Sequence, residues 1–231
     1  MKDQIKALVL RLGADVCGIA AMDRFANTPT GFHPRDIFQS CRSVIVFGVA
    51  LPKGLTRIDP RLIYGHFNYL TCPETDRIAL LTAREMERQY GGYAVPLPSD
   101  TPCEYWDADN MEARGLISMK HAAVWAGLGT LGKSTLLLNE QYGNTLTLGA
   151  VLSELDLPSD PPAVNLCLEN CRLCLDHCPS GALTGEGVIQ RKCRLHTYGT
   201  TARGFDTVNC NICRIICPMR FGKPAGESLA V

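Results

Sequence analysis

The sequence predicts an α/β (α+β) fold, in which an N-terminal mixed sheet with flanking helices precedes a small cysteine-rich domain. An apolar, β-branched run over residues 43–50 is typical of a covered central strand, and segments with helical spacing surround it. A proline-rich segment at residues 158–162 then separates this part from a stretch that holds eight of the twelve cysteines. We therefore divide the chain into residues 1–160, residues 161–222 and a tail of residues 223–231.

Predicted helices and strands alternate in the first part. Apolar residues at helical spacing, each time followed by glycine, mark two of the helices. A proline at position 96 favours an edge position for the strand that contains it. Residues 100–110 are acidic and irregular, and they stay unassigned. Helices are predicted over residues 2–12, 75–90 and 115–126, and strands over residues 15–20, 43–50, 93–97, 136–138 and 145–152.

The eight cysteines form two runs, and each run ends in a cysteine that is followed by proline. The runs read Cys167-x3-Cys171-x2-Cys174-x3-Cys178-Pro179, and Cys193 with Cys210-x2-Cys213-x3-Cys217-Pro218. This pattern is typical of bacterial two-cluster ferredoxins, in which the fourth cysteine of a run ligates the opposite cluster. A ferredoxin-like domain with two [4Fe–4S] clusters is therefore expected. One cluster takes Cys167, Cys171, Cys174 and Cys217, and the other takes Cys178, Cys193, Cys210 and Cys213.

Three other uses of these cysteines compete with cluster ligation. A disulfide framework is typical of small secreted domains, and the N-terminus does not read as a signal peptide. Structural zinc uses CxxC pairs but does not account for the two CxxxCP endings. Buried, unligated thiols would not be this dense. Iron–sulfur ligation is the favoured interpretation, although three residues separate Cys167 from Cys171 where two are usual.

A glycine-rich loop, Gly127-Leu-Gly129-Thr-Leu-Gly132-Lys133-Ser134, matches both the P-loop and the dinucleotide-binding pattern. Both motifs require a strand before the glycines and a helix after them. Here a helix is predicted before the loop and a strand after it, so nucleotide binding is disfavoured. Two interpretations stay open. The loop is either a tight helix-to-strand turn that needs glycine for packing, or a wall that lets another cofactor approach the backbone.

The glycine loop and the cysteine runs together resemble the epoxyqueuosine reductase family. The likeness extends over residues 126–139, 142–144 and 148–155, and over both cysteine runs with the Arg191-Lys192-Cys193 segment between them. It covers nearly the whole chain in matching order. The resemblance implies an N-terminal α/β domain that binds cobalamin and two [4Fe–4S] clusters that supply its electrons. It also implies that the corrinoid site is lined by Gly127, Gly129, Gly132, Lys133 and Ser134.

The chain departs from the family pattern at three places. The family's expected proton-donor aspartate precedes the glycine loop, and a gapless count back from the loop reaches Ala113 instead. The family has tryptophan and asparagine where this chain has Thr130 and Ser134. The chain also resembles a short form without the C-terminal extension that helps hold tRNA. A different substrate is therefore expected, tRNA is not an expected partner, and the catalytic residue is unassigned.

Composition restricts the function classes. The chain of 231 residues is 46% hydrophobic with zero formal net charge, which argues against a dominant nucleic-acid surface. Residues 165–231 carry 8 basic and 5 acidic side chains, and cations near anionic clusters raise their potential. No run is long and apolar enough to suggest a membrane span. A cytoplasmic location is expected because cluster thiolates and unpaired cysteines suit a reducing compartment.

Several single residues have functional and structural interpretations. His121 is a candidate proton donor, but a structurally satisfied histidine is favoured. Tyr64 and His66, in a stretch that reads as loop, could flank a planar ligand, although ordinary packing is favoured. The remaining cysteines divide into two expected core residues and two weak candidates for reactive thiols. These are Cys17 and Cys41 in the core, and Cys72 and Cys103 in loops.

The favoured function is an iron–sulfur oxidoreductase that passes electrons through two clusters to a cofactor, which the resemblance identifies as a corrinoid. The alternative is an electron-transfer or corrinoid-activating module that serves a partner enzyme and has no substrate of its own. A third hypothesis, electron transfer driven by ATP, follows from the P-loop pattern alone. A ferredoxin or flavodoxin is the expected electron donor.

Overall fold

The computed structural model describes residues 1–223 and shows a four-stranded sheet with helices on both faces and small hairpins around it. The helices are α1 (Lys2–Arg11), α2 (Pro34–Ile37), α3 (Leu62–Tyr90), α4 (Met119–Trp125), α5 (Leu173–Asp176), α6 (Gln190–Thr197) and α7 (Ile212–Ile215). The strands are β1 (Val16–Ala21), β2 (Ser43–Ala50), β3 (Ala94–Leu97), β4 (Tyr105–Asp107), β5 (Glu112–Arg114), β6 (Thr130–Leu131), β7 (Leu137–Leu138), β8 (Leu146–Ser153), β9 (Tyr198–Thr200) and β10 (Asp206–Val208). Among these helices, none has the length and apolar character that crossing a membrane requires.

The central sheet has the strand order β1-β2-β8-β3, and every neighbouring pair is antiparallel. The α/β class is confirmed, but the prediction of a mixed sheet is wrong. The strands β2 and β3 are parallel and α3 connects them, as in a βαβ unit. Because β8 inserts between them, no two parallel strands become neighbours, which is the split form of that unit.

The two middle strands, β2 and β8, separate two hydrophobic cores. Val44 and Val46 point into a core with α4, whereas Ile45 and Phe47 point into a second core with α1 and α3. The four side chains are fully buried, as expected for a strand that is covered on both faces. The prediction of a central strand over residues 43–50 is therefore confirmed. The strand β3, which contains Pro96, lies at the sheet edge as predicted.

The helix α3 is much longer than the predicted helix over residues 75–90, because it begins at Leu62 and contains Pro73. Tyr64 and His66 therefore lie on a helix, and the interpretation of their stretch as a loop is wrong. The first half of α3 exposes Ile63, Phe67 and other apolar residues, so it lacks the amphipathic pattern by which a helix is recognised. Tyr64 is 3% exposed and packs in the interior, as favoured from the sequence.

The proline-rich segment after β8 is fastened to the N-terminal part by Asp160. This carboxylate contacts Lys2 at 2.8 Å and Lys6 at 3.0 Å, and it accepts a hydrogen bond from the Ile19 amide at 2.9 Å. Burial acts to raise the pKa of Asp160, but the hydrogen bonds and the Lys6 charge outweigh it, so the pKa is lowered. The predicted domain boundary in this segment stays a prediction.

We expect Asp160→Ala to lower the free energy of unfolding by about 2 kcal/mol at pH 7, because a charged acceptor with three donors is removed. A carboxylate whose pKa is lowered in the folded state stabilises the protein at pH values above its pKa in the unfolded state. This contribution is lost as the pH falls through the pKa of the folded state. The difference from wild type should therefore shrink towards pH 3. Urea unfolding without air measures it. Asp156→Ala is the control, since the Arg42–Asp156 pair is largely exposed and should contribute about 0–1 kcal/mol.

Candidate functional site

The first thiol set, Cys167, Cys171, Cys174 and Cys217, lines a single cavity. Its floor is apolar, because Cys167 and Cys217 pack against a small core of Leu138, Leu166 and Met219. The fourth member, Cys217, is far from the other three in sequence. It reaches them because the chain returns through α7, which contacts α5.

Electrostatic coupling also shows the proximity of these four thiols. Burial raises the pKa of Cys217, a backbone hydrogen bond from Met219 lowers it, and the charges of Cys167, Cys174 and Cys171 raise it further. Burial likewise raises the pKa of Cys174, with the charges of Cys167 and Cys171 acting in the same direction. Ionising these four desolvated thiols is costly, because the thiolates repel one another, unless a cation or a metal cluster compensates their charge.

A second set consists of Cys178, Cys193, Cys210 and Cys213. Burial raises the pKa of Cys213 to about 11, the Arg214 guanidinium opposes this, and the charges of Cys193, Cys210 and Cys178 add to it. Cys213 is thus close to the three thiols that the spacing assigns with it, as Cys217 is to the other three. Each set contains the last cysteine of the opposite run, and ligation of a cluster by either set stays a prediction.

Cys178 differs from its neighbours because its thiolate accepts several hydrogen bonds. Burial acts to raise its pKa, but hydrogen bonds from the Ser180 hydroxyl and from the amides of Leu183, Ala182 and Ser180 outweigh it and lower the pKa. The Ala182 amide lies 3.4 Å from Sγ. Such N–H···S contacts stabilise the thiolate form, which is the form that binds metals.

All twelve cysteines lie in the described part of the chain, and each is a free thiol. Within residues 1–223, no three His, Cys, Asp or Glu side chains are arranged around a single metal ion. Cys41 is fully buried, and Cys17 is partly buried and packs against the core that contains α1 and α3. Both are therefore core residues, as predicted.

The glycine loop begins after α4 and includes β6 and part of the turn that leads to β7, so the predicted order of helix, glycines and strand is confirmed. Gly127 has a φ of +74°, and a side chain there would overlap the Pro161 carbonyl. A side chain at Gly129 would overlap the Leu138 carbonyl. Both glycines are thus required by the chain's own packing, which favours the structural interpretation of the loop.

Lys133 of the loop also has partners within the protein, and Ser134 is buried. The Lys133 ammonium donates to the carbonyls of Leu168 at 3.2 Å and Cys171 at 2.9 Å, and it contacts the Glu169 carbonyl as well. Ser134 is 5% exposed. The interpretation of the five loop residues as a corrinoid lining stays a prediction, and these contacts supply another reason for their identity.

Beside the second thiol set lies an aromatic–cationic wall formed by Trp106, Arg194 and Tyr198. The Arg194 guanidinium lies 5.4 Å from the Trp106 ring centroid and 6.0 Å from that of Tyr198. Both rings are more than half exposed. Arg194 follows Cys193 directly on α6. The sequence did not indicate this wall, because Trp106 belongs to the unassigned segment and comes next to Arg194 only through tertiary packing.

Tyr198 of the wall and Lys120 of α4 lie near charged and thiol side chains. Desolvation is the main cause that raises the pKa of Tyr198 and lowers that of Lys120, yet both side chains reach solvent. The charges of Asp100 and Cys72 also act on Tyr198, and those of Cys213 and Cys193 act on Lys120. Tyr198 and Lys120 therefore both lie near the second thiol set.

Two sequence candidates for catalysis have structural explanations. The His121 ring nitrogen Nδ1 lies 2.7 Å from the Ser118 hydroxyl, and its ring packs on Trp125 at 5.9 Å. His121 is thus a satisfied histidine at the start of α4, as favoured from the sequence. At the position of the expected family aspartate, the Ala113 backbone exchanges two hydrogen bonds of 3.0 Å with the Gln190 side chain.

Comparison with known sequences identifies relatives over almost the whole chain. The epoxyqueuosine reductase of Listeria monocytogenes is 32% identical over 265 aligned positions, which cover 96% of this chain and 65% of that protein. The chain spans less than two thirds of the length of the first curated relatives that it matches. No family model matches the chain.

Comparison with solved structures shows the same fold. An epoxyqueuosine reductase in complex with an epoxyqueuosine-modified tRNA-Tyr stem loop superposes with a TM-score of 0.65 at 18% identity, covering 96% of this chain and 66% of that one. A reductive dehalogenase described as B12-dependent superposes with a TM-score of 0.67 at 20% identity, covering 93% of this chain and 31% of that one. The expectation that tRNA is not a partner has no support from these comparisons.

Proposed function

Because this chain belongs to the epoxyqueuosine reductase-like family, we propose that it is an oxidoreductase with two [4Fe–4S] clusters and a corrinoid. The clusters would carry single electrons, and the corrinoid would supply the metal-centred reductive chemistry. The grouping of the eight thiols into two crossed sets carries this proposal. Cys213 and Cys217 are four residues apart, yet they belong to different sets, which is the arrangement that two neighbouring cubanes require.

The two thiol sets fit cubane clusters in composition and surroundings. Each set supplies the four thiolates that one cluster needs. A cubane binds each thiolate through a different iron, so it holds them farther apart than a single ion does. The Lys133 ammonium binds the ligand loop of the first set, and Arg214 and Lys120 lie beside the second set. These cations compensate the negative charge of thiolate-bound clusters and raise their reduction potential.

The aromatic–cationic wall beside the second thiol set offers a surface for a large, flat cofactor. Trp106 and Tyr198 offer exposed ring faces for stacking, and Arg194 and Lys120 offer donors for the amide and phosphate groups of a corrinoid. Arg194 directly follows a proposed cluster ligand, so a cofactor held there is close to the electron source. We propose that these four residues hold the corrinoid.

The proposed substrate is a modified nucleoside or a small molecule that accepts electrons from the reduced centre. The names of the relatives make epoxyqueuosine in tRNA the first substrate to assay. A second candidate function, a corrinoid-activating or electron-transfer module, is favoured by one observation. The position of the expected proton donor is occupied by Ala113, whose backbone binds Gln190.

Metal analysis of protein isolated without air tests the proposal. We expect about eight irons per chain and a shift of the visible spectrum of added cobalamin. Trp106→Ala should weaken cobalamin binding about tenfold, since aromatic contacts contribute on the order of 1 kcal/mol beyond buried area. Tyr93→Ala is the control, because Tyr93 is 68% exposed and belongs to neither the wall nor a thiol set.

The outcomes separate the candidate functions. Two clusters, cobalamin binding and turnover of a substrate with an artificial reductant support the oxidoreductase. Two clusters and reduction of a partner's cofactor without turnover support the module. Protein that binds fewer than about four irons after anaerobic reconstitution contradicts both functions.

A further inference from the structure

We propose that the β6–β7 hairpin positions the first cluster-ligand loop, and that Lys133 holds this loop by binding three of its backbone carbonyls. The inference rests on the proposed iron–sulfur function. It assigns Lys133 as a positioning residue for the ligands of the first thiol set.

The contacts of Lys133 converge on the loop with the unusual spacing. Three residues separate Cys167 from Cys171, one more than the two-residue spacing of the usual run. The carbonyls of Leu168, Glu169 and Cys171 all accept from the one ammonium group. An ammonium has three donor hydrogens, so this loop uses its whole hydrogen-bonding capacity. The longer loop is therefore organised around the Lys133 ammonium.

A second contact joins the hairpin to the first ligand. The Thr130 hydroxyl donates to the Asn165 side-chain oxygen at 3.1 Å, and the Cys167 amide donates to the same oxygen at 3.0 Å. Asn165 thus links the start of the hairpin to the residue that begins the ligand run. The two ends of the loop, at Cys167 and Cys171, are both fastened to the hairpin.

The hairpin is itself a firm support. Its turn is closed by backbone hydrogen bonds from Gly132 to Leu136 at 3.0 Å and from Thr135 to Gly132 at 2.8 Å. Leu138 is 2% exposed and packs with Leu166 under the first thiol set. Lys133 therefore extends from a fixed turn, and a fixed donor loses little conformational freedom when it binds.

Two physical effects follow from this arrangement. Hydrogen bonds to a charged group are about twice as strong as neutral ones, so their loss would free the loop to move. The positive charge is also held near the anionic cluster, where it favours the reduced state. Removing the ammonium should weaken cluster retention and lower the potential of one cluster only.

The test compares Lys133→Met with Lys53→Met in the full-length protein with its clusters. Methionine keeps an unbranched side chain as far as the Cε atom but removes the ammonium, and with it the charge and the donors. Lys53 is the control because its ammonium lies near the Phe221 ring, 5.2 Å from the centroid, and binds no cysteine loop. Iron release to a chelator and the midpoint potentials of both clusters, followed by electron paramagnetic resonance, are measured without air.

We expect Lys133→Met to release the iron of one cluster at least about tenfold faster than the wild type does. The midpoint potential of that cluster should fall, and that of the other cluster should stay unchanged. Lys133→Gln restores donors without charge, so it should recover retention more than potential. The proposal is overturned if Lys133→Met matches Lys53→Met in both measurements. Wild-type protein that holds no clusters would instead contradict the proposed function itself.

Discussion

Replacing Cys217 with alanine will abolish one cluster, whereas replacing Cys213, only four residues earlier, will abolish the other. The pKa of Cys217 is raised by Cys167, Cys171 and Cys174, and that of Cys213 by Cys178, Cys193 and Cys210. A cubane that loses one of four thiolates loses a structural ligand as well as charge compensation. Each single variant should therefore keep about four of eight irons.

Double variants make the crossed pairing testable. Cys217→Ala combined with Cys167→Ala removes two ligands of the same cluster, so it should lose no more iron than either single variant. Cys217→Ala combined with Cys193→Ala removes one ligand from each cluster and should lose nearly all iron. Non-additive losses identify residues that act as one unit. Iron content and paramagnetic resonance spectra of the reduced proteins measure these losses.

Cys103→Ala is the control for this series, because Cys103 is a half-buried thiol outside both sets. It should keep both clusters. The crossed pairing is contradicted if Cys217→Ala and Cys213→Ala abolish the same cluster, since the ligands would then be grouped by run. A full complement of iron in Cys217→Ala would contradict the role of this residue as a ligand.

The sequence predicted those parts of the fold that local chemistry determines. The run over residues 43–50 is apolar and β-branched, so a covered strand was readable, and β2 has those bounds. The direction of pairing was not readable, because the insertion of β8 between β2 and β3 is a long-range event without a local signal. The start of α3 was missed because its first turns expose apolar side chains and Pro73 resembles the beginning of a helix.

The same division applies to the candidate site. Cysteine spacing reflects the geometry of a cluster, so the two thiol sets were readable from the two runs. The role of Lys133 could not be predicted from the sequence, because a lysine after a glycine loop is equally typical of a phosphate-binding site. Its partners, the carbonyls of the Cys167–Cys171 loop, are brought to it only by the docking of the hairpin. The aromatic–cationic wall depends on tertiary packing in the same way.

The second large effect is expected at Gly143, where the N-terminal part meets the last cluster ligand. Gly143 has a φ of +57°, and a side chain there would overlap the Arg220 backbone and the Met219 carbonyl. Asn144 reinforces this junction, since its backbone amide donates a hydrogen bond to the Arg220 carbonyl at 3.2 Å. Gly143→Ala would push away the segment that directly follows Cys217. We expect a loss of about 3–5 kcal/mol in the free energy of unfolding, together with weaker retention of the first cluster.

Gly181→Ala is a matched control for the steric part of this effect. Gly181 has almost the same φ, +58°, but nothing lies within 4 Å of where its Cβ would be. Its substitution should therefore cost only the strain of a left-handed residue, about 1–2 kcal/mol. Anaerobic urea unfolding and iron release of both variants provide the comparison. Equal stabilities would show that the Arg220 segment can move away freely. A larger loss in Gly143→Ala would show that the docking of this segment holds Cys217 in place.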